Sequence, residues 1–133
     1  MFMESEFDRK VAVLVAREPA FAAEAYSFIS DAVAFTVSKL DEHRHVSAAE
    51  LLDGIRAFAL EKFGAVASSV LASWGMNKED DAGKVVYLLI SVGLLRASED
   101  DSPEEFKTGA ALIPSAPAIR VVRRKSDQLP FIV

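Results

Sequence analysis

Between Phe7 and Val92 apolar residues return at every third or fourth position, which is the period of a helix face and not of a strand. That pattern predicts a mainly α fold. Glu4 to Arg17 reads as a first amphipathic helix carrying Phe7, Val11, Leu14 and Val15 on one side, and Pro19 ends it. From Phe21 to Leu40 a longer stripe through Phe28, Ile29, Ala32 and Val33 predicts the spine of the fold. Asp41 to Arg44 then breaks the period with four polar residues, the mark of an exposed connection.

Ser47 and Glu50 have the S-x-x-E spacing of a capping box, so a helix is expected to start there, with Leu51, Leu52, Ile55, Phe58, Ala59 and Phe63 facing the core. Gly64 is placed to stop it. Ala65 to Trp74 predicts a shorter helix, and Asn77 to Asp81 offers an N-cap followed by three acids at the head of another that runs to about Val92. Gly93 closes that helix. Leu94 to Ser98 then reads as a strand that pairs with Ile119 to Val122, while Pro103 opens a single helical turn through Phe106. The expected fold is a five- to six-helix single domain with a short β-hairpin near the C-terminus, winged-helix-like in outline. Residues 1–109 form its helical domain and residues 110–133 a basic C-terminal extension.

The chain has 133 residues, 51% of them apolar and 26% charged, enough for one core and too few for two ordinary domains. It has no cysteine, which excludes disulfides, thiolate metal sites and a cysteine nucleophile, and fits a reducing cytoplasm. Met1 to Lys10 is polar and acidic where a secretory signal would be basic and then apolar, so no export signal is expected. Val85 to Leu95, the longest apolar-rich stretch, falls well short of the roughly 20 residues of a membrane span.

The net charge of −5 conceals an asymmetry. Met1 to Pro117 holds 11 Lys/Arg against 19 Asp/Glu, whereas Ala118 to Val133 holds Arg120, Arg123, Arg124 and Lys125 against Asp127 alone. An acidic body repels phosphate backbones, so any nucleic-acid contact is expected to concentrate in the basic tail.

The candidate chemical sites are thin. His43 and His45, with Asp41 and Glu42 beside them, form the one local group of metal-ligand types, but two histidines at i, i+2 without a third ligand fall short of zinc spacing. The same histidines could act as general bases, although no G-x-S-x-G elbow supplies a nucleophile. Glu79-Asp80-Asp81 and Glu99-Asp100-Asp101 lack the calcium-loop pattern and read as helix capping and turn chemistry. The glycines match neither phosphate-binding motif. Trp74 follows Val70 and Leu71 at helical spacing, which favours core packing over a cofactor or peptide pocket. No catalytic residue, cofactor or metal ligand is expected.

Spaced blocks of the sequence carry a resemblance. His45 to Arg56 (HVSAAELLDGIR), Glu61-Lys-Phe-Gly64, Trp74-Gly-Met76, Asp81-Ala-Gly83, Val85 to Leu95 and Asp101 to Phe106 resemble a family of small uncharacterised bacterial proteins known mainly from Planctomycetes and Verrucomicrobia. The resemblance covers Phe7 to Lys107. It implies a bacterial cytosolic origin and brings no activity with it, and the tail after Gly109 lies outside it.

The tail is the remaining lead. Arg120, Arg123, Arg124 and Lys125 precede Leu129, Phe131, Ile132 and Val133, an apolar end that is costly to leave in water. It has three readings: folding back on the acidic body, docking on a partner as a strand or peptide anchor, or touching nucleic acid or anionic lipid as a basic arm. The expectation is a non-enzymatic protein-interaction or adaptor domain that contacts another protein, or a second copy of itself, through its acidic helical surface and these eight tail residues. A winged-helix-like nucleic-acid-binding regulator using the basic tail is the alternative, and an enzyme using His43 or His45 the third reading.

Overall fold

The computed structural model describes residues 5–41, 46–97 and 102–114. Those residues are mainly helical. They form α1 (Glu6–Arg17), α2 (Ala23–Ser38), α3 (Ala48–Phe63), α4 (Ala67–Ser73) and α5 (Glu79–Ser91), with 3₁₀ turns at Gly64–Val66 and Pro103–Phe106. None of these helices is long and apolar enough to cross a membrane.

The starts of α1, α3 and α5 follow from their local chemistry, whereas α2 and α4 begin without a side-chain cap. The Ser5 hydroxyl accepts from the Asp8 N–H at 3.0 Å and so caps α1. At α3 the expected capping box is present, with Glu50 N–H donating to the Ser47 hydroxyl at 3.1 Å and Ser47 N–H donating to the Glu50 carboxylate at 2.9 Å. Ser47→Ala is expected to cost about 1 kcal/mol of stability. An unchanged thermal midpoint would show that α3 does not depend on this cap. At α5 the expected Asn77 cap is replaced: Lys78 holds the cap position, and the Asp81 carboxylate reaches back to accept from the Asn77 and Lys78 N–H groups at 2.9 and 3.0 Å.

α2 is the spine, as its stripe predicts. It touches α1, α3 and α5, and it buries Ala25, Tyr26, Phe28, Ile29, Ala32 and Thr36. The Thr36 hydroxyl is satisfied by the Ala32 carbonyl at 2.7 Å. Opposite it, Gly54 lets α3 lie close, because a β-carbon there would overlap the Thr36 side chain. Farther along the α2–α3 seam, the half-buried Phe35 and Phe58 rings meet at 5.1 Å and are covered by Lys39 and Lys62, whose ammonium groups sit 4.9 and 5.3 Å from the ring centres.

Tyr26 is fully buried, and its hydroxyl has no hydrogen-bond partner among the described residues. Burial, and after it the negative charge of Glu18, pushes its pKa up. Since a buried, unsatisfied hydroxyl costs stability that an apolar ring edge does not, Tyr26→Phe is expected to stabilise the fold by about 1 kcal/mol in chemical denaturation. A loss of the same size would mean that the hydroxyl is bonded.

Three sequence expectations change. Trp74 is half-buried at the edge of the core, with Phe28 and Phe63 at 5.9 and 5.8 Å, because α4 ends at Ser73 and leaves the indole on its rim. Leu94 to Ala97 forms a bend, in which the Leu94 N–H returns to the Leu89 carbonyl at 3.0 Å and closes α5. Its expected partner strand, Ile119 to Val122, lies outside the described residues, as does Ser98. Ala110 to Ile113, assigned by sequence to the extension, begins as part of the body: Leu112 is 1% exposed, and Lys78 forms an isolated antiparallel bridge with Ala111.

Candidate docking groove

The segment after the second 3₁₀ turn is held as a strap across the start of α5. Glu79 N–H donates to the Ala110 carbonyl at 2.9 Å, and Leu112 N–H donates to the Asn77 carbonyl at 3.0 Å. The side chains reinforce this. Thr108 donates to Glu79 at 2.6 Å, the Gly109 N–H donates to Asp80 at 2.8 Å, and Arg56 donates to Glu79 at 2.9 Å and to the Leu112 carbonyl at 3.3 Å. Arg56 also holds Asp53 at 2.9 Å. Burial works against the guanidinium charge, but hydrogen bonds to Asp53 and Glu79 outweigh it and hold the Arg56 pKa above its usual value. Glu79, Asp80 and Asp81 each accept a hydrogen bond from the protein itself, which makes them anchors of the strap and of the helix start.

The strap and the turn before it set Phe106 against α5. Ser102 caps the turn by accepting from the Glu104 N–H at 3.2 Å, and Pro103 supplies its first position. Phe106 is 4% exposed and meets Tyr87 edge-on at 6.3 Å. It fits because Gly83 has no side chain: a β-carbon at Gly83 would overlap Phe106, so the ring takes that space on the helix.

Phe106 thereby becomes one wall of an apolar groove of about 570 Å³. Val33 and Val37, one turn apart on α2, face Val86 and Ile90, one turn apart on α5. Leu51 from α3 closes the groove at depth, where it is 5% exposed. Polar groups stand at the border: Ser47, Tyr87, and the exposed Arg96 and Glu105. An apolar interior with a few polar groups at its edge suits an apolar side-chain cluster.

A smaller depression of about 410 Å³ lies by α2, where Phe28, Phe63 and Trp74 are bordered by Glu24, Asp31 and Lys62. Its rings spend their faces on one another, at 5.8 to 6.0 Å between centres.

The tail candidates, Arg120, Arg123, Arg124, Lys125, Leu129, Phe131, Ile132 and Val133, all lie outside the described residues, as do His43, His45 and Glu99 to Asp101. The groove was missed by sequence reasoning because its lining looks like ordinary core. Among the described residues no group of three or more His, Asp or Glu is placed to hold a metal ion. No protein-family model, curated protein or solved structure matches the chain.

Proposed function

We propose that this chain is a protein-interaction domain whose docking element is the groove between α2, α3, α5 and Phe106. The observation that carries this reading is the groove itself: the half-buried Val33, Val37 and Ile90 line it with the buried Val86 at i, i+4 spacing on two helices, an arrangement that suits peptide segments with regularly spaced apolar anchors. The tail adds cations for orientation through Arg120, Arg123, Arg124 and Lys125, and apolar anchors through Leu129, Phe131, Ile132 and Val133. The lack of cysteine and the family resemblance support a bacterial cytoplasmic setting.

The test is a co-purification with the full chain, with Ile90→Glu, and with a chain truncated after Pro117. Ile90 is only partly buried, so a carboxylate there places charge in the groove without emptying the core. A partner bound by the full chain and reduced at least about tenfold by Ile90→Glu, with the melting transition kept, is the expected result. Partner capture that ignores the substitution would remove the groove from the function. Salt-sensitive retention of nucleic acid, lost with the tail, would favour instead a nucleic-acid-binding regulator that uses the basic residues Arg120, Arg123, Arg124 and Lys125.

A further inference from the structure

The groove needs an occupant, and the sequence beyond the strap contains one of matching chemistry. We infer that the chain's own segment Leu129 to Val133 occupies the groove intramolecularly, so that a partner must displace it to bind. This inference rests on the docking reading above and adds its regulation.

Three observations point to this occupant. The first is reach. The described chain ends at Pro114, just past Leu112, whose N–H is tied to the Asn77 carbonyl at the start of α5. From there to Ile90 is eleven helical residues, roughly 17 Å at the rise of an α-helix. The 14 residues from Ser115 to Gln128 can reach at most roughly 46–50 Å, more than the distance to be crossed.

The second is chemistry. Leu129, Phe131, Ile132 and Val133 form the apolar group beyond the basic cluster and contain the one aromatic residue beyond the strap, and the groove residues they would meet include valine and isoleucine. Contact between the two would remove apolar area of both from water. The third is charge. Arg123, Arg124 and Lys125 stand just before the anchors, and Glu105 borders the groove. Arg96, on the same border, makes no ion pair among the described residues, and Asp127, the one acid of the tail, lies two positions before Leu129. Each sign of charge on the segment thus has an opposite at the border of the groove.

The test is a titration with a fluorescent peptide of residues Ser126 to Val133. It is added to the full chain and to the full chain carrying L129S, F131S and I132S, which leaves every described residue unchanged. Self-occupancy predicts that the substituted chain binds the peptide about ten- to a hundredfold more tightly than the intact chain, because its groove is vacated, and that adding Ile90→Glu abolishes the binding. Equal affinity for both chains, lost in each on Ile90→Glu, overturns self-occupancy and leaves the docking reading standing. Peptide binding indifferent to Ile90→Glu overturns both. Failure of either chain to bind the peptide overturns the inference alone, with the docking reading then judged by partner capture. A dimer of the intact chain that dissociates on dilution and is absent in the substituted chain puts the segment in a second copy, and that too overturns intramolecular occupancy.

Discussion

Phe106→Ala is expected to lower the unfolding free energy by about 3–5 kcal/mol, the range for truncating a large buried aromatic. The ring is 4% exposed, lies over Gly83 and meets Tyr87 edge-on, so its removal leaves a gap that a helical surface cannot close. The effect should exceed simple cavity formation, since the turn Pro103–Phe106 has no other residue in the core to hold it. Urea denaturation with the intact chain as reference measures it. A loss under about 1 kcal/mol would mean that the turn is not docked on α5 and that the groove lacks this wall.

Gly75→Ala should cost a comparable amount, about 3–4 kcal/mol, for a different reason. Gly75 sits at φ +100°, a region that side chains other than glycine rarely adopt, and a β-carbon there would also overlap the Ala20 carbonyl oxygen and come within 3.1 Å of Phe21. The backbone has little freedom to yield. Ala22 N–H donates to the Trp74 carbonyl at 3.1 Å, and Met76 N–H returns to the Leu71 carbonyl at 2.9 Å, fixing the turn on both sides. Thermal or urea unfolding of the variant checks this. A change within about 0.5 kcal/mol would show that the turn after α4 relaxes freely and that the approach of residues 20–22 is not obligatory.

The elements that were legible are those announced by chemistry within a few residues or by an apolar stripe. Ser47 and Glu50 specify a capping box by their own spacing, Pro103 marks its turn, and the Phe28, Ile29, Ala32 stripe marks the spine. What was not legible depends on residues distant in the chain. Arg56 looks like one more surface cation until Leu112 and Glu79 are brought beside it, 56 and 23 positions away. Gly83 looks like a weak point in a helix until Phe106 lies on it. Trp74 has the spacing of a core residue, yet α4 ends one residue earlier and turns the indole to the rim. The groove was hidden for the same reason: Val33, Val37, Val86 and Ile90 satisfy the helical period equally well whether a neighbouring helix covers them or a ligand does.

The central claim is that the groove, not the rest of the apolar surface, receives a protein ligand. Site-specific photo-crosslinking in a cell extract tests it most directly, with a benzophenone side chain placed at Ile90 in the groove and, separately, at Val66, which is 57% exposed and lies outside it. The account predicts a covalent adduct from position 90, either to a discrete partner or within the chain to its own residues 129–133, and none of these from position 66. Adducts equal in identity and yield from both positions, or none from position 90, would contradict it.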